Sequence, residues 1–477
     1  MNTKKFFKSA LCGIMSAVML GSISVYADDA STANTNESVV INDSNFPDEN
    51  FRNYVKTFDT SEDGSLAPDE IAKVTTIDVS NSSGIDLSDG DVNPSDIYIP
   101  GDEPTNPGDL EPDTENYIYD LKGIEYFTAL TNLYCNNNYL KSMDLSKNTE
   151  LTELECDGNS LTSIDVSKNT KLSVLSCYYN SIESLDLSKN TNLTKLICSN
   201  NKLTTLDLSQ NTKLTDLSCD YNQITTLDLS KNTGLAELSC GINKLTELDL
   251  RKNTALKYLN CIFNNLVSLN LNNCTALETV YCNGNQLKSL DLSSNTALAE
   301  MVCINNQLTS LDISKNTKLT DLRCSENPLT NLDIASSAVT TLYAETTEKD
   351  HAYKAVFNDG KFDLSTLSGF DVSKASDWTN AVIDGNVITV TDPDQPVTYK
   401  YDTGKGTATF MIVKSTEVTG DANYDGVLNV RDAAYIAKKL AEGKGNELPM
   451  IADFNGDGKV DVRDAAAIAR HLASSFK

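Results

Sequence analysis

Residues 130–150 read LTNLYCNNNYLKSMDLSKNTE, and this stretch decides the fold because it comes back. The pattern L-T-x-L-x-C-x-x-N-x-L-T-x-L-D-L-S-K-N-T-x restarts at Leu151, Leu172, Leu193, Leu214, Leu235, Leu256, Leu277, Leu298 and Leu319, ten copies at a period of 21 residues. A fixed period of this length means stacked coils. No coil can bury its apolar side alone, so stability comes from the neighbours. In the first copy Leu130, Leu133, Cys135 and Leu140 are expected inside. A second short strand is expected at Met143–Leu145, ahead of the Ser-Lys-Asn-Thr turn.

Two asparagine ladders follow from the register. Asn138, Asn159, Asn180, Asn201, Asn222, Asn243, Asn264, Asn285, Asn306 and Asn327 form the first. Their amides can satisfy backbone groups of an adjoining coil. The second runs from Asn148 through Asn169, Asn190, Asn211, Asn232 and Asn253, then Asn295 and Asn316, with Cys274 on the missing rung. The repeat resembles the leucine-rich repeat L-x-x-L-x-L-x-x-N-x-L, with Cys in place of the third strand leucine. That resemblance implies an α/β solenoid of ten coils.

Twelve cysteines would suggest disulfides in an exported chain, but ten of them, from Cys135 to Cys324, also recur every 21 residues. Stacked coils lie about 4.8 Å apart, close enough for bonding by Cα spacing. In-register Cβ vectors run parallel rather than toward each other, so buried free thiols acting as small hydrophobes are expected.

Alternate strand positions face outward, and Tyr134, Tyr178, Tyr258 and Tyr281 fall on them. They are candidate stacking contacts for an unknown protein or carbohydrate ligand, on a face that solenoids commonly use. The competing reading is that aromatic residues simply favour strands.

Formal net charge is −28 over 477 residues. Nucleic-acid binding asks for basic patches and is excluded as an expectation. Lys4, Lys5 and Lys8, an apolar run from Ala10 to Val25 and Val25-Tyr26-Ala27 read as an export signal over 1–27. A secreted, extracellular chain without a membrane span follows, expected as a monomer.

Residues 28–82 form an N-terminal cap in this reading. Asn45–Phe58 is an amphipathic helix, and Asp59–Glu70 has EF-hand spacing, with Asp59, Ser61, Asp63, Ser65 and Glu70 as possible calcium ligands. Helix, loop and short helix ahead of the repeats resemble the cap of internalin-like proteins, in which such a loop often lacks metal. Residues 83–117 are an acidic, Pro/Gly-rich insertion, 118–345 the repeats, and 346–415 a small β unit. In that unit strands are expected at Val387–Val390, Val397–Tyr401 and Thr407–Val413, with Trp378 in the core.

Residues 416–477 hold a duplication. GDANYDGVLNVRDAAYIAKKL from Gly420 and ADFNGDGKVDVRDAAAIARHL from Ala452 align at a shift of 32. Each contains a 12-residue calcium loop with Gly at position 6. The ligands are Asp421, Asn423, Asp425, Val427 (carbonyl), Asn429 and Asp432, then Asp453, Asn455, Asp457, Lys459 (carbonyl), Asp461 and Asp464. A helix follows each loop and none precedes it, so these are half EF-hands. Duplicated half EF-hands ending in Asp closely resemble a type I dockerin, the all-α module that plugs cellulosomal proteins into a scaffoldin cohesin. The resemblance implies two Ca2+ here and a cellulosome at the cell surface; the EF-hand spacing of the N-terminal cap would add a third Ca2+ if that loop is loaded. It further implies cohesin contacts at Val430, Arg431, Tyr435 and Lys439, and at Val462, Arg463, Ala467 and His471. Val-Arg stands where many dockerins carry Ser-Thr.

Dockerins usually ride on plant-polysaccharide enzymes. Here the regular Asp144, Asp165 and Asp186 series looks structural, and no nucleophile elbow or metalloprotease motif occurs. A non-catalytic component is expected, working in polysaccharide catabolism. The alternatives are a regulator or inhibitor of co-docked enzymes, or an unrecognised glycoside hydrolase using carboxylates such as Glu153, Glu155 and Asp157.

Overall fold

The computed structural model describes residues 37–81, 116–357, 360–415, 420–422, 428–456 and 458–475. The export signal and nearly all of the acidic insertion lie outside them. One parallel sheet of 12 strands runs the length of the solenoid. Ten strands belong to the repeats, from Asn132–Tyr134 to Asp321–Arg323. Each pairs with its neighbour in register, as Leu133 with Leu154 and Leu154 with Leu175. A shift of one residue would turn every leucine outward, so the period itself fixes the pairing.

The sheet extends one strand beyond the repeats at each end. Thr76–Asp78 pairs with Asn132–Tyr134. Here Ile77 and Val79 stand where Leu133 and Cys135 do, so the first coil begins inside the expected cap and the insertion interrupts it. Thr341–Tyr343 closes the other end.

Met143–Leu145 is not a strand. On that side most neighbouring coils share one backbone bond, such as Ser160 N–H to Leu140 O at 2.9 Å, and a single bond per coil makes no ladder. Asparagines do the joining instead. Asn159 donates Nδ2 to Cys135 O and Cys156 O at 3.0 and 3.1 Å, and its Oδ1 accepts from Leu140 N. Along the second ladder Asn211 donates to Leu187 O and Asn190 O. All eleven described cysteines are free and buried. Burial pushes the Cys261 and Cys303 thiols up to about 12.

The N-terminal cap is an α-helix over Glu49–Val55 continued by a 3-10 turn over Lys56–Phe58. It begins later than expected because Asp48 is the N-cap, accepting from Phe51 N–H. Phe46, Phe51 and Val55 close the end of the leucine core. Residues 346–415 add two small sheets. One is ordered Tyr353–Ala355, Thr407–Lys414, Val397–Asp402, Ala375–Thr379, and the other Lys361–Asp363, Val387–Val390, Ala381–Asp384. The strands missed in the sequence are short and lack clear alternation. Trp378 stacks on Tyr399 with centroids 4.3 Å apart, and Tyr399 donates its hydroxyl to Thr330 O at 2.6 Å. This unit therefore caps the last coil.

Helices Val430–Ala441 and Val462–Ser475 pack on a separate small core of Ala422, Ile436, Leu448, Ala452 and Ile468. Among the described residues no helix is long and apolar enough to cross a membrane.

Candidate functional site

The second C-terminal loop shows how each half EF-hand is wound. Asp453 accepts from Gly456 N–H at 2.8 Å and from Gly458 N–H at 2.7 Å. Gly458 sits at φ 79°, the left-handed turn that position 6 demands. Asp464 spans the loop, with Oδ1 accepting from Asn455 N–H at 3.1 Å and Oδ2 from Asp461 N–H at 2.8 Å. In the first loop Asp432 Oδ2 accepts from Asn429 N–H at 2.8 Å. Asn429 and Asp461 also accept from the amides two residues on, so position 9 starts each helix.

The donor set suits a hard cation. Asp421, Asp432 and Asp464 are 4, 0 and 0 % exposed. Buried carboxylates need compensating charge, and calcium takes oxygen ligands of this kind. Among the described residues no three His, Cys, Asp or Glu side chains could hold a metal by themselves. Asn423, Asp425, Val427 and Asp457, which would complete the two loops, lie outside the described residues. Asn455 and the carbonyl of Lys459 belong to the described part of the second loop.

The N-terminal loop has the same winding. Gly64 N–H donates to Asp59, and Glu70 accepts from the N–H groups of Ser61 and Ala67. It differs in two respects. Position 9 is Ala67, without a side-chain oxygen. Glu70 also accepts the Thr60 hydroxyl and amide, which with the Ala67 amide hold its carboxyl down at about 2. Ser61 and Ser65 hydroxyls donate to Asp59 and Asp63. The loop is closed by its own donors, so its shape needs no cation.

Outside the C-terminal loops, Val430 and Val462 are 69 and 65 % exposed, each followed by an exposed Arg431 or Arg463. Two apolar side chains are thus presented at equivalent places. The arginines differ. Arg463 clamps Asp461 through Nη2 at 2.7 Å and Nε at 3.1 Å, which holds the Asp461 carboxyl down at about 2. The residue equivalent to Asp461 beside Arg431 is the neutral Asn429. Tyr435 and Lys439 are half-buried, with the ammonium 5.6 Å from the ring centroid and 2.5 Å from Glu447. Ala467 is half-buried, and His471 is exposed with its ring against Phe454.

On the repeat surface the four tyrosines are not brought together as one platform. Tyr134 donates to Glu153 at 2.8 Å. Tyr258 and Tyr281 meet edge-to-face at 5.8 Å. Tyr281 donates to Glu300 and is only 8 % exposed, so it offers no open ring face. Tyr178 leans on Tyr179 at 5.9 Å. The carboxylates Asp157 and Asp220 serve the sheet. Asp157 accepts from Ser176 Oγ and Tyr178 N–H, and Asp220 from Ser239 Oγ and Gly241 N–H. Burial pushes both up to about 6.

A row the sequence reading missed lies beside this face. Tyr179, Tyr221, Ile242 and Phe263 each follow a ladder cysteine by two residues, with φ of 53°, 51°, 50° and 47°. The signal was present, since Asn or Gly fills that place in five other repeats.

The type I dockerin domain family matches residues 419–473. No curated protein matches the chain. Among solved structures, the functional domain of InlJ from Listeria monocytogenes, described as including a cysteine ladder, is similar at 24% identity and a TM-score of 0.48, over 80% of this chain and 99% of that one. The internalin inlF of the same organism gives 19% identity and a TM-score of 0.43, over 66% and 99%. A leucine-rich-repeat protein of Leptospira interrogans gives 21% and 0.42, over 48% and 70%.

Proposed function

We propose that this protein is a secreted, non-catalytic component of a cellulosome, held on a scaffoldin cohesin by its calcium-loaded dockerin and presenting its solenoid as a binding surface. A dockerin domain binds calcium and implies a cohesin partner. The observation that carries the reading is the pair of exposed valines, Val430 and Val462, each with an arginine beside it at the start of its helix. It is their equivalent placement in the two halves of the duplication, rather than exposure alone, that suits a contact surface, since single exposed apolar side chains are ordinary. Asp432 and Asp464 stand two residues after the valines and accept from the amides of Asn429 and Asp461 at the helix starts, so cation binding by these carboxylates would order the same helix starts that carry the valines.

For the solenoid, a binding role is supported by its continuous outward sheet face, and a catalytic role finds less support. The acidic cluster named above is engaged with neighbouring coils, Glu153 with Tyr134 and Asn132, Glu155 with Asn136 and Asp157 with Ser176. Cohesin binding by the full chain is expected to require calcium and to fail when Val430→Asp and Val462→Asp are combined. Tight binding in excess chelator would overturn the calcium-dependent reading. Release of reducing sugar from plant cell-wall polymers by the purified chain would overturn the non-catalytic one.

A further inference from the structure

The seventh repeat, residues 256–276, breaks the second asparagine ladder. In the repeat before it, Asn253 donates through Nδ2 to Leu229 O at 3.2 Å and Asn232 O at 2.9 Å, and in the repeat after it Asn295 donates to Leu271 O and Cys274 O. Cys274 has one weak donor in place of two amide bonds, a thiol 3.5 Å from Leu250 O. The joint between the sixth and seventh coils therefore lacks, at a buried place, the fastening that its neighbours have.

The same turn is loosened a second time. In the other nine repeats an aspartate at its start accepts the amide two residues on, as Asp228 does from Ser230 and Asp291 from Ser293. Here the acceptor is the neutral Asn270, 3.1 Å from Asn272 N–H. A carboxylate makes the stronger hydrogen bond.

What remains is uneven. On its far side the turn is tied to the eighth coil, because Cys274 O accepts from Asn295 at 2.8 Å. On its near side it keeps one amide bond to the sixth coil, Asn273 Nδ2 to Arg251 O at 3.0 Å, between two exposed residues where water competes. The sheet side is intact. Tyr258–Asn260 pairs in register with Glu237–Ser239, Asn260 donates to Ser239 Oγ at 3.0 Å, and Asn264 of the first ladder donates to Cys240 O at 3.0 Å. The tenth repeat also lacks the asparagine, with Ser337 on that rung, but there the β unit takes over. Lys405 donates to Ser337 O, and Ile334 N–H to Thr403 O. Nothing comparable covers the seventh repeat. A solenoid's stability is a sum over repeats and their nearest-neighbour interfaces, so a weak interface inside the array opens ahead of the others.

We propose that the turn at residues 270–274 is where the solenoid opens first. It swings away from the sixth coil while the sheet stays paired, and Cys274 becomes the first of the eleven buried thiols to meet a thiol-reactive electrophile. Cys261 of the same repeat follows the strand, with its amide bonded to Tyr281 O, and stays enclosed.

Iodoacetamide on the full chain, in urea below the unfolding transition, reads the order of the thiols by peptide mass spectrometry. Cys274 is expected to react about tenfold faster than Cys261 and the other ladder cysteines. Equal rates, or a ladder cysteine reacting first, would overturn the proposal. Asn270→Asp restores the carboxylate and keeps the thiol, so it is expected to slow Cys274 severalfold; an unchanged rate would count against the turn as the point of opening. Amide exchange gives a reading without the thiol. Leu277 N–H donates to Cys274 O as Leu235 N–H does to Asn232 O. Leu277 is expected to be about tenfold less protected than Leu235, and Cys274→Asn to remove the difference. Equal protection in the unsubstituted chain, or a difference that survives Cys274→Asn, would overturn the proposal. Should Cys274→Asn fail to fold, the thiol order and Asn270→Asp decide alone.

Discussion

Replacing Asn211 tests the second asparagine ladder directly. Its side chain is fully buried and donates through Nδ2 to Leu187 O at 3.1 Å and Asn190 O at 2.9 Å. Its Oδ1 makes no hydrogen bond, as in the seven equivalent asparagines. Asn211→Ala removes both donated bonds, each worth about 1 kcal/mol net, and leaves a small cavity costing about 1 kcal/mol more. The two carbonyls keep one partner each, Asn190 N–H and Leu193 N–H, which spares them full desolvation. A loss of about 3 kcal/mol is expected. Asn211→Cys should cost less, about 1–2 kcal/mol, because Cys274 already fills this rung and reaches Leu250 O with its thiol at 3.5 Å. Asn211→Asp should cost most, since it keeps the shape but turns both donors into acceptors facing carbonyls, or forces a buried carboxyl to keep its proton. The assay is urea unfolding of the full chain by far-UV circular dichroism. Its denaturant slope must be compared among variants, because a solenoid can open in part. Equal losses for Ala and Cys, or a change under about 0.5 kcal/mol for Ala, would refute the claim that donation by Nδ2 joins the coils.

Thiol chemistry gives a second prediction: the denatured chain, freed of its export signal, should titrate eleven thiols, and the native chain almost none within minutes, because every one is buried. Fewer than eleven would mean disulfides. Stability should peak in mildly acid solution. Asp220 has its carboxyl raised from an ordinary 3.8 to about 6 by burial, so the folded state binds the proton more tightly and this contribution is lost as pH rises through about 6. Asp165, Asp186, Asp207 and Asp228 are held low by the amide and then the hydroxyl of the serine two residues on, so their contribution is lost as pH falls below 3.8. Asp220→Asn should flatten the decline between pH 4 and 6, read as the thermal midpoint across pH, and an unchanged slope would refute the assignment. Gly123→Ala should loosen the N-terminal cap, since φ is 103° and the new Cβ would stand 2.3 Å from the Phe46 ring. Amide exchange across residues 37–81 would report it, and unchanged protection would refute the clash.

Repetition made most of the fold legible. A 21-residue period places Leu154 opposite Leu133 without any knowledge of the coil's shape, and it turns a column of asparagines into a ladder. The C-terminal loops were legible for a related reason, since calcium requires oxygens at fixed places in 12 residues. What periodicity cannot give is the environment of one side chain. Tyr134 and Tyr281 occupy equivalent positions as sequence, yet Tyr281 is the one enclosed, by Tyr258 and Glu300. The β unit after the repeats has no period, and its short strands depend on partners far along the chain, such as Tyr353 with Ile412.

By itself, then, the sequence determined the stacking, the register, the free thiols' common column and the duplication of the C-terminal loops, because each follows from a spacing. Only the tertiary structure decided which outward residues stay open, that Arg463 is clamped by Asp461, and that Tyr179, Tyr221, Ile242 and Phe263 lie in left-handed backbone. Those facts depend on neighbours in space, and on a backbone torsion that ten coils impose together on residues that, left alone, would not adopt it.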